Sequence, residues 1–239
     1  MSIHLLQEIA NIKKKLLSLS AVVEERVRLA VKAVEQRDAS LAQQIIDGDL
    51  EIDRGEVAVE EECLKTLALY QPVAIDLRLI VAVLKINSDL ERIGDLAVNI
   101  AERAAFLAVQ PQAEVLFDFP GMAAKGQQML SNSLDALVNM DSQLAKAVCR
   151  ADDEVDAINR QIYNEVKQEI KKRPEDIESL IHLLAISRHI ERIADLATNI
   201  AEDVIYMVEG TIIRHSTEDY RAMHGKPPSG EEGSDGVME

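Results

Sequence analysis

The chain has 239 residues, of which 47% are hydrophobic and 28% are charged, so it has enough apolar side chains to form packed cores. Aromatic residues make up only 3% and there are just 10 glycines and 6 prolines, which favours helices over sheets. Acidic residues outnumber basic ones by 42 to 26, and no long basic run offsets the net charge of -16. This excludes nonspecific binding to the nucleic-acid backbone as the main function.

The first residues, MSIHLLQEIANIKKK, place their charges after the apolar residues, which is the reverse of a secretory signal. No window approaches the roughly 18 uninterrupted apolar residues of a membrane span. Cys63 and Cys149 form no CxxC pair, as is typical of a reduced compartment. We therefore expect a soluble cytoplasmic protein that does not insert into membranes.

Apolar residues recur with helical spacing through most of the chain and predict six helices. In chain order their approximate ranges are 3–36, 40–70, 73–109, 122–148, 152–172 and 175–209. Between the third and fourth, the segment 111–121 breaks the pattern and is the best linker candidate. Gly210 is a stop signal for the last helix. The Gly-, Pro- and Ser-rich residues that follow predict a disordered tail.

The two halves of the chain repeat one another. DLERIGDLAVNIAER at 89–103 returns as HIERIADLATNIAED at 189–203, and upstream residues 49–53 align with 152–156. Each half therefore reads helix, helix, proline turn, helix, and the predicted fold is an all-α tandem repeat of two three-helix bundles. The predicted domains are 1–112, 113–215 and an acidic tail at 216–239.

Acidic residues form stripes at helical spacing on four of the predicted helices. In the third helix, four polar residues span only about 80° of the circumference: Glu91, Asp95, Asn99 and Glu102. The sixth helix carries the same four residue types: Glu191, Asp195, Asn199 and Glu202. The second and fifth helices carry related stripes: Asp49, Asp53, Glu56 and Glu60, and Asp152 and Asp156.

The stripes also match in their distance from the turns that join the helices. Asp53 lies 18 residues before the turn at 71–72 and Glu91 lies 20 residues after it, which is about 27 Å down one helix and about 30 Å up the next. Asp156 and Glu191 are placed in the same way about the second turn. We therefore expect the acidic pairs of neighbouring helices to face each other at one level.

Converging carboxylates repel one another unless they are protonated or compensated by cations. Hard cations such as Mg²⁺, Mn²⁺, Ca²⁺ or iron suit such oxygen-only ligand sets, and asparagine can add a neutral oxygen or orient a carboxylate. The predicted ligands are Asp49, Asp53, Glu91, Asp95, Asn99, Asp152, Asp156, Glu191, Asp195 and Asn199.

Other interpretations of the acidic stripes stay open. Arg92, Arg103 and Arg192 could neutralise them without a metal, leaving a structural scaffold with a solvated acidic face. A metal-dependent phosphate-ester hydrolase or a metal-storage bundle could use the same carboxylates. The Glu-x-x-His signature of di-iron bundles is absent from the sequence, as are a Gly-rich phosphate loop and a nucleophile motif. We therefore predict that the chain is not an enzyme.

Two segments resemble the PhoU family of bacterial phosphate-transport regulators: QPVAIDLRLIVAVLKINSDLERIGDLAVNIAE at 71–102 and RHIERIADLATNIAEDVIYMVEG at 188–210. The resemblance covers about residues 3–215 and implies two three-helix bundles related by pseudo-twofold symmetry. It also implies multinuclear clusters of iron, zinc, manganese or magnesium. The family's E/D-x-x-x-D motifs correspond here to Asp49/Asp53, Glu91/Asp95, Asp152/Asp156 and Glu191/Asp195, with Asn99 and Asn199 beside them.

The resemblance further implies a function. Members of the family couple the ATPase subunit of the phosphate ABC transporter to a membrane sensor histidine kinase. They repress phosphate uptake and the starvation response when phosphate is plentiful, and a homodimer is the expected state. The family's QPxxxDLR segment is present only in the first half, so any role for Asp76 and Arg78 belongs to that half.

Overall fold

The computed structural model describes residues 3–111 and 118–211, and within them it contains α-helices, one short 3-10 turn and no strand. The helices are α1 Ile3–Gln36, α2 Ala39–Asp47, α3 Leu50–Tyr70, α4 Ala74–Val109, α5 Phe119–Asn139, α6 Ser142–Lys172 and α7 Ile177–Glu209. The predicted all-α fold is confirmed. The predicted domain boundary at 112/113 and the predicted tail at 216–239 lie outside the described residues. In the described part, no helix is both long and apolar enough to cross a membrane.

Three long helices follow the predicted ranges closely. α1 and α4 match the helices predicted over 3–36 and 73–109 to within a residue. α7 ends at Glu209 and is capped by Gly210, whose positive φ of 75° suits glycine and whose N–H donates to the carbonyl of Tyr206 at 3.0 Å. The periodic apolar spacing and the stop signal were therefore sufficient to place these elements.

The helix predicted over 40–70 is instead two helices, α2 and α3, separated at Gly48. Gly48 donates its N–H to the carbonyl of Gln44 at 3.2 Å and ends α2. Arg26 of α1 donates to the carbonyls of Ile45 at 3.1 Å and Gly48 at 3.2 Å. A Cβ on Gly48 would lie 2.0 Å from Nη1 of Arg26, so this glycine makes room for the guanidinium.

The predicted boundary between the fourth and fifth helices, near residues 149–151, is also wrong. α5 ends at Asn139, where Met140 adopts a left-handed conformation with φ 52°. The carboxylate of Asp141 then accepts the N–H groups of Gln143 at 2.9 Å and Leu144 at 3.0 Å, which makes Asp141 the N-cap of α6. Asp152 therefore lies well inside a helix and does not begin one.

Removing the cap of α6 should destabilise the protein. We expect Asp141→Ala to lower the free energy of unfolding by about 0.5–2 kcal/mol, because two backbone N–H groups lose their acceptor. Asp141→Asn keeps an acceptor and should recover most of that loss. Urea titrations of both variants measure the difference, with the exposed mid-helix substitution Glu61→Ala as a control. An Asp141→Ala protein as stable as the wild type would contradict the capping role.

The described helices pack as two bundles that meet along α4 and α7. α1, α2, α3 and α4 form the first bundle, and α5, α6 and α7 form the second. α4 and α7 run antiparallel, since Lys85 pairs with Asp203 at 3.5 Å while Phe106 stacks on His182 with ring centroids 3.9 Å apart. The buried apolar side chains form one continuous cluster across both bundles. The α4–α7 contact is therefore part of the core.

Gly94 allows α3 and α4 to approach closely beside the acidic stripes. A Cβ at this position would lie 2.9 Å from Cδ1 of Ile52, a fully buried residue of α3. Gly94 stands directly before Asp95, and Ile52 directly before Asp53. The close helix crossing therefore brings the carboxylates of the two helices to one level.

Candidate functional site

The first carboxylate cluster lies between α3 and α4 and consists of Asp49, Asp53, Glu56, Glu91 and Asp95. Partial burial raises the pKa of Asp49, and the charges of Asp53 and of Asp95 on the neighbouring helix raise it further. Burial, then Asp95, Glu56 and Asp53, likewise raise the pKa of Glu91. The acids of α3 and α4 therefore face one another, as their similar distances from the turn at 71–72 predicted.

The second carboxylate cluster lies between α6 and α7 and consists of Asp152, Asp156, Glu191 and Asp195. Burial, then the charges of Asp195 and Asp156, raise the pKa of Asp152 to about 6. The pKa of Asp195 is also raised to about 6, by burial, then by Glu191 and Asp156. The Asp195 side chain reaches solvent, yet the surrounding helices still remove part of its hydration. Both halves of the chain thus hold acids in mutual repulsion.

The neighbouring arginines only partly offset this repulsion. Arg92 lowers the pKa of Glu91, and Arg192 lowers those of Glu191 and Asp195, but each of these pKa values remains raised overall. Nη1 of Arg92 is 3.9 Å from Oδ1 of Asp89, outside the carboxylate clusters. Nη1 of Arg160 also lies 3.8 Å from Oδ2 of Asp156, so arginine neutralises the carboxylate clusters only in part.

The carboxylates are near enough to repel one another but are not drawn in around a common point. Within residues 3–111 and 118–211, no three His, Cys, Asp or Glu side chains form a ready-made metal site. The donor set is nevertheless made of oxygen ligands on partly exposed side chains, which can rotate towards a cation. Its chemistry fits a hard cation, which would relieve the repulsion on binding.

An open groove of about 450 Å³ runs between α4 and α7 and joins the two clusters. Its lining consists of four residue types, each present twice at an offset of one hundred: Arg92, Asp95, Leu96 and Asn99, and Arg192, Asp195, Leu196 and Asn199. The groove therefore lies on the pseudo-twofold axis. Because Asp95 and Asp195 belong to both the groove and a cluster, the two clusters and the groove form one continuous face.

The two predicted asparagine ligands lie in the groove. Nδ2 of Asn99 donates to the backbone carbonyl of Asp95 at 2.8 Å, which orients the amide within its own helix. Asn159 on α6, by contrast, accepts a hydrogen bond from Oγ of Ser187 at 3.2 Å and serves the contact between α6 and α7. Asn99 and Asn199 therefore belong to the candidate site and Asn159 does not.

Sequence reasoning treated Arg92 and Arg192 only as neutralising charges and missed their place in the groove. The available signal was their position, since each directly follows a predicted ligand, Glu91 or Glu191, in both copies of the repeat.

Arg78, from the QPxxxDLR segment of the first half, contributes to helix packing. Its guanidinium lies 5.7 Å from the ring centroid of Tyr206 and helps to pack α4 against α7.

The PhoU domain family model matches the chain twice, over residues 16–104 and 119–204, with one match in each half. A relative from Aquifex aeolicus, named phosphate-specific transport system accessory protein PhoU homolog, is 39% identical over 88% of this chain and 96% of its own length. The chain belongs to the PhoU family. A relative of the same name from Pseudomonas aeruginosa is 36% identical over 87% of this chain and 86% of its own length.

Solved PhoU structures share the fold of this family member. The crystal structure of PhoU from Pseudomonas aeruginosa is 36% identical, with a TM-score of 0.84 over 86% of this chain and 99% of that one. PhoU from Streptococcus pneumoniae, titled a phosphate transport system regulatory protein, has a TM-score of 0.75 at 29% identity over 87% of this chain and 98% of that one. The relatives are named accessory or regulatory proteins, which confirms the prediction that the chain is not an enzyme.

The second carboxylate cluster should make the metal-free protein less stable as the pH rises. The folded-state pKa of about 6 for Asp152 and Asp195 exceeds the ordinary value of about 3.9, so the folded state binds more protons than the unfolded chain between those limits. The stability that these protons contribute is lost as the pH rises through about 6. Relative to Asp152→Asn/Asp195→Asn, the wild type should therefore lose stability between about pH 4 and about pH 6.

Urea titrations in EDTA across that pH range measure this difference. The control is Glu35→Gln/Glu61→Gln, which removes the same formal charge from exposed positions outside the clusters. A stability difference between the wild type and the Asn variant that does not change with pH would contradict the electrostatic origin of the shifts.

Proposed function

We propose that this PhoU-family chain is an accessory regulator of a bacterial phosphate transport system and acts in the cytoplasm. It would couple the ATPase subunit of the phosphate ABC transporter to a membrane sensor histidine kinase. It would thereby repress uptake and the starvation response when phosphate is plentiful. The observation that carries the proposal is the match to named phosphate-transport accessory proteins over nearly the whole of their length.

The carboxylate clusters would hold divalent or trivalent cations. Each cluster has enough carboxylates to bind more than one ion. The ligands are those predicted from the sequence, with Asp49, Asp53, Glu91 and Asp95 in the first half and their equivalents in the second. A bound cation would supply positive charge to a face that is otherwise strongly acidic. The duplicated convergence of carboxylates with raised pKa values supports this role.

Co-purification from native membranes tests the regulatory role. The full-length tagged chain is recovered from cells grown at high and at low phosphate, and bound proteins are identified by mass spectrometry. We expect the transporter ATPase subunit, the sensor kinase or both, with the amount depending on phosphate. Recovery of neither protein under both conditions would contradict the proposal. Light scattering of the purified chain tests the expected homodimer separately.

A further inference from the structure

The α4–α7 groove has a lining that the carboxylate clusters do not explain. Arg92 and Arg192 come from opposite sides of the pseudo-twofold axis, and Asn99 and Asn199 accompany them. The Arg92 side chain is 63% exposed, and its 3.9 Å approach to Asp89 is longer than the roughly 2.8 Å of a charge-assisted hydrogen bond. Its donors therefore remain available to a ligand in the groove.

We infer that this groove binds a phosphoryl oxyanion, either inorganic phosphate or a phosphate monoester, between Arg92 and Arg192. A guanidinium is planar and always charged, and its paired N–H donors match two oxygens of a phosphoryl group. Two such groups on one groove can contact different oxygens of the same tetrahedral anion. Asparagine amides are suitable additional donors because they carry two N–H bonds each.

The two aspartates of the groove determine when the anion binds well. Asp95 and Asp195 line the same space as the arginines, so the formal charges of these four side chains cancel in the metal-free protein. Each aspartate is also a member of a carboxylate cluster. Cations bound at the clusters would compensate the aspartates and leave the arginines in excess, since a bound ion is often the largest local charge.

Cation binding and anion binding should therefore strengthen one another. Linkage requires that the factor by which the cation raises phosphate affinity equals the factor by which phosphate raises cation affinity. This coupling rests on the proposed cation sites, whereas the role of the arginines does not.

The groove, at about 450 Å³, also has room for the chemical group to which a phosphoryl is attached.

Calorimetric titration of the full-length protein tests the inference. Inorganic phosphate and phosphoserine are titrated into protein freed of metal with EDTA and into protein loaded with Mg²⁺ or Mn²⁺, whose bound metal is measured independently. We expect binding to the loaded protein that is roughly tenfold tighter than to the metal-free protein. Tighter binding of phosphoserine supports a phosphorylated partner as the source, and equal or tighter binding of inorganic phosphate supports the free anion.

Two variants separate the arginines from the cation sites. Arg92→Gln/Arg192→Gln should lower phosphate affinity roughly tenfold or more while leaving the metal content unchanged. Arg92→Lys/Arg192→Lys keeps the charge but not the planar fork and should give an intermediate loss. Arg28→Gln on α1, which pairs with Glu25 outside the groove, is the control and should bind like the wild type. Both groove arginines are exposed, and thermal melts verify that the variants fold.

The outcomes distinguish the two proposals. The groove assignment would be overturned, even if cations bind, when neither inorganic phosphate nor phosphoserine binds. It would also be overturned when Arg92→Gln/Arg192→Gln binds phosphate as tightly as the wild type. Absence of cation binding by the wild type would overturn the cation sites alone. The groove is then judged from the metal-free titration, where binding that is lost in the Gln variant supports it and absence of binding overturns it.

Discussion

Removing the paired acids of both carboxylate clusters should abolish the stabilisation of the protein by divalent cations. In the wild type, a cation at about 100 times its dissociation constant should raise the free energy of unfolding by about 2.7 kcal/mol per site. Glu91→Gln/Asp95→Asn should remove the contribution of the first cluster, and Glu191→Gln/Asp195→Asn that of the second. The combined variant should gain nothing from added metal, because each cluster has lost both of its acids on α4 or α7.

Thermal melts with added Mg²⁺, Mn²⁺ or EDTA measure these changes, and metal analysis of the purified proteins gives the bound amounts. Glu35→Gln/Glu61→Gln is the matched control, since it removes two exposed acids from other positions and should respond like the wild type. A wild type whose stability ignores both metal and EDTA would instead support the structural scaffold with a solvated acidic face. Metal amounts far above what two clusters can hold would support the storage bundle.

The fold could be predicted from the sequence where the signals are local. Apolar spacing defined α1, α4 and α7, because each is a long amphipathic helix, and Gly210 marks the end of α7. The break at Gly48 was missed because it depends on Arg26, which arrives from a different helix. The break before Asp141 was missed because Met140 carries no glycine or proline signal for its left-handed backbone.

The carboxylate clusters could be predicted because their geometry follows from helix rise and turn position alone. Counting residues from the turn at 71–72 places Asp53 opposite Glu91 before any tertiary structure is known. The groove could not be predicted in the same way. It exists only because α4 and α7 pack antiparallel, and the helical period within one element carries no information about which partner that element meets.

The groove residues are the same in both halves of the chain, but the residues that join α4 and α7 on either side of the groove are not. Lys85 pairs with Asp203 at one end, whereas the equivalent positions at the other end hold Ala185 and Arg103. His189 takes the place of Asp89, and burial, then Arg103, lower its pKa to about 4. The paired charges at one end are therefore absent from the other, although the groove residues are duplicated. Helix packing alone does not require the groove residues to be duplicated. Their duplication is therefore consistent with a ligand that contacts both halves.

Truncating a buried side chain of α4 should be among the most damaging single changes in this chain. Ile100 is 0% exposed and lies one turn beyond Leu96 on the helix that serves both the first bundle and the groove. We expect Ile100→Ala to lower the free energy of unfolding by about 2–5 kcal/mol, from lost apolar burial and from the cavity that remains. Urea denaturation measures the change. Val109→Ala, at a position that is 76% exposed on the same helix, should stay within about 0.5 kcal/mol of the wild type.

The pseudo-twofold relation gives this prediction a second test. Ile200 stands one hundred residues after Ile100 and is also 0% exposed, so Ile200→Ala should cost a similar amount. A loss below about 1 kcal/mol at both positions would contradict a single close-packed core that spans the two bundles. A large loss at one position and a small one at the other would mean that the surroundings of one site collapse into the cavity. The two halves would then share their sequence pattern without sharing the packing around the buried isoleucines.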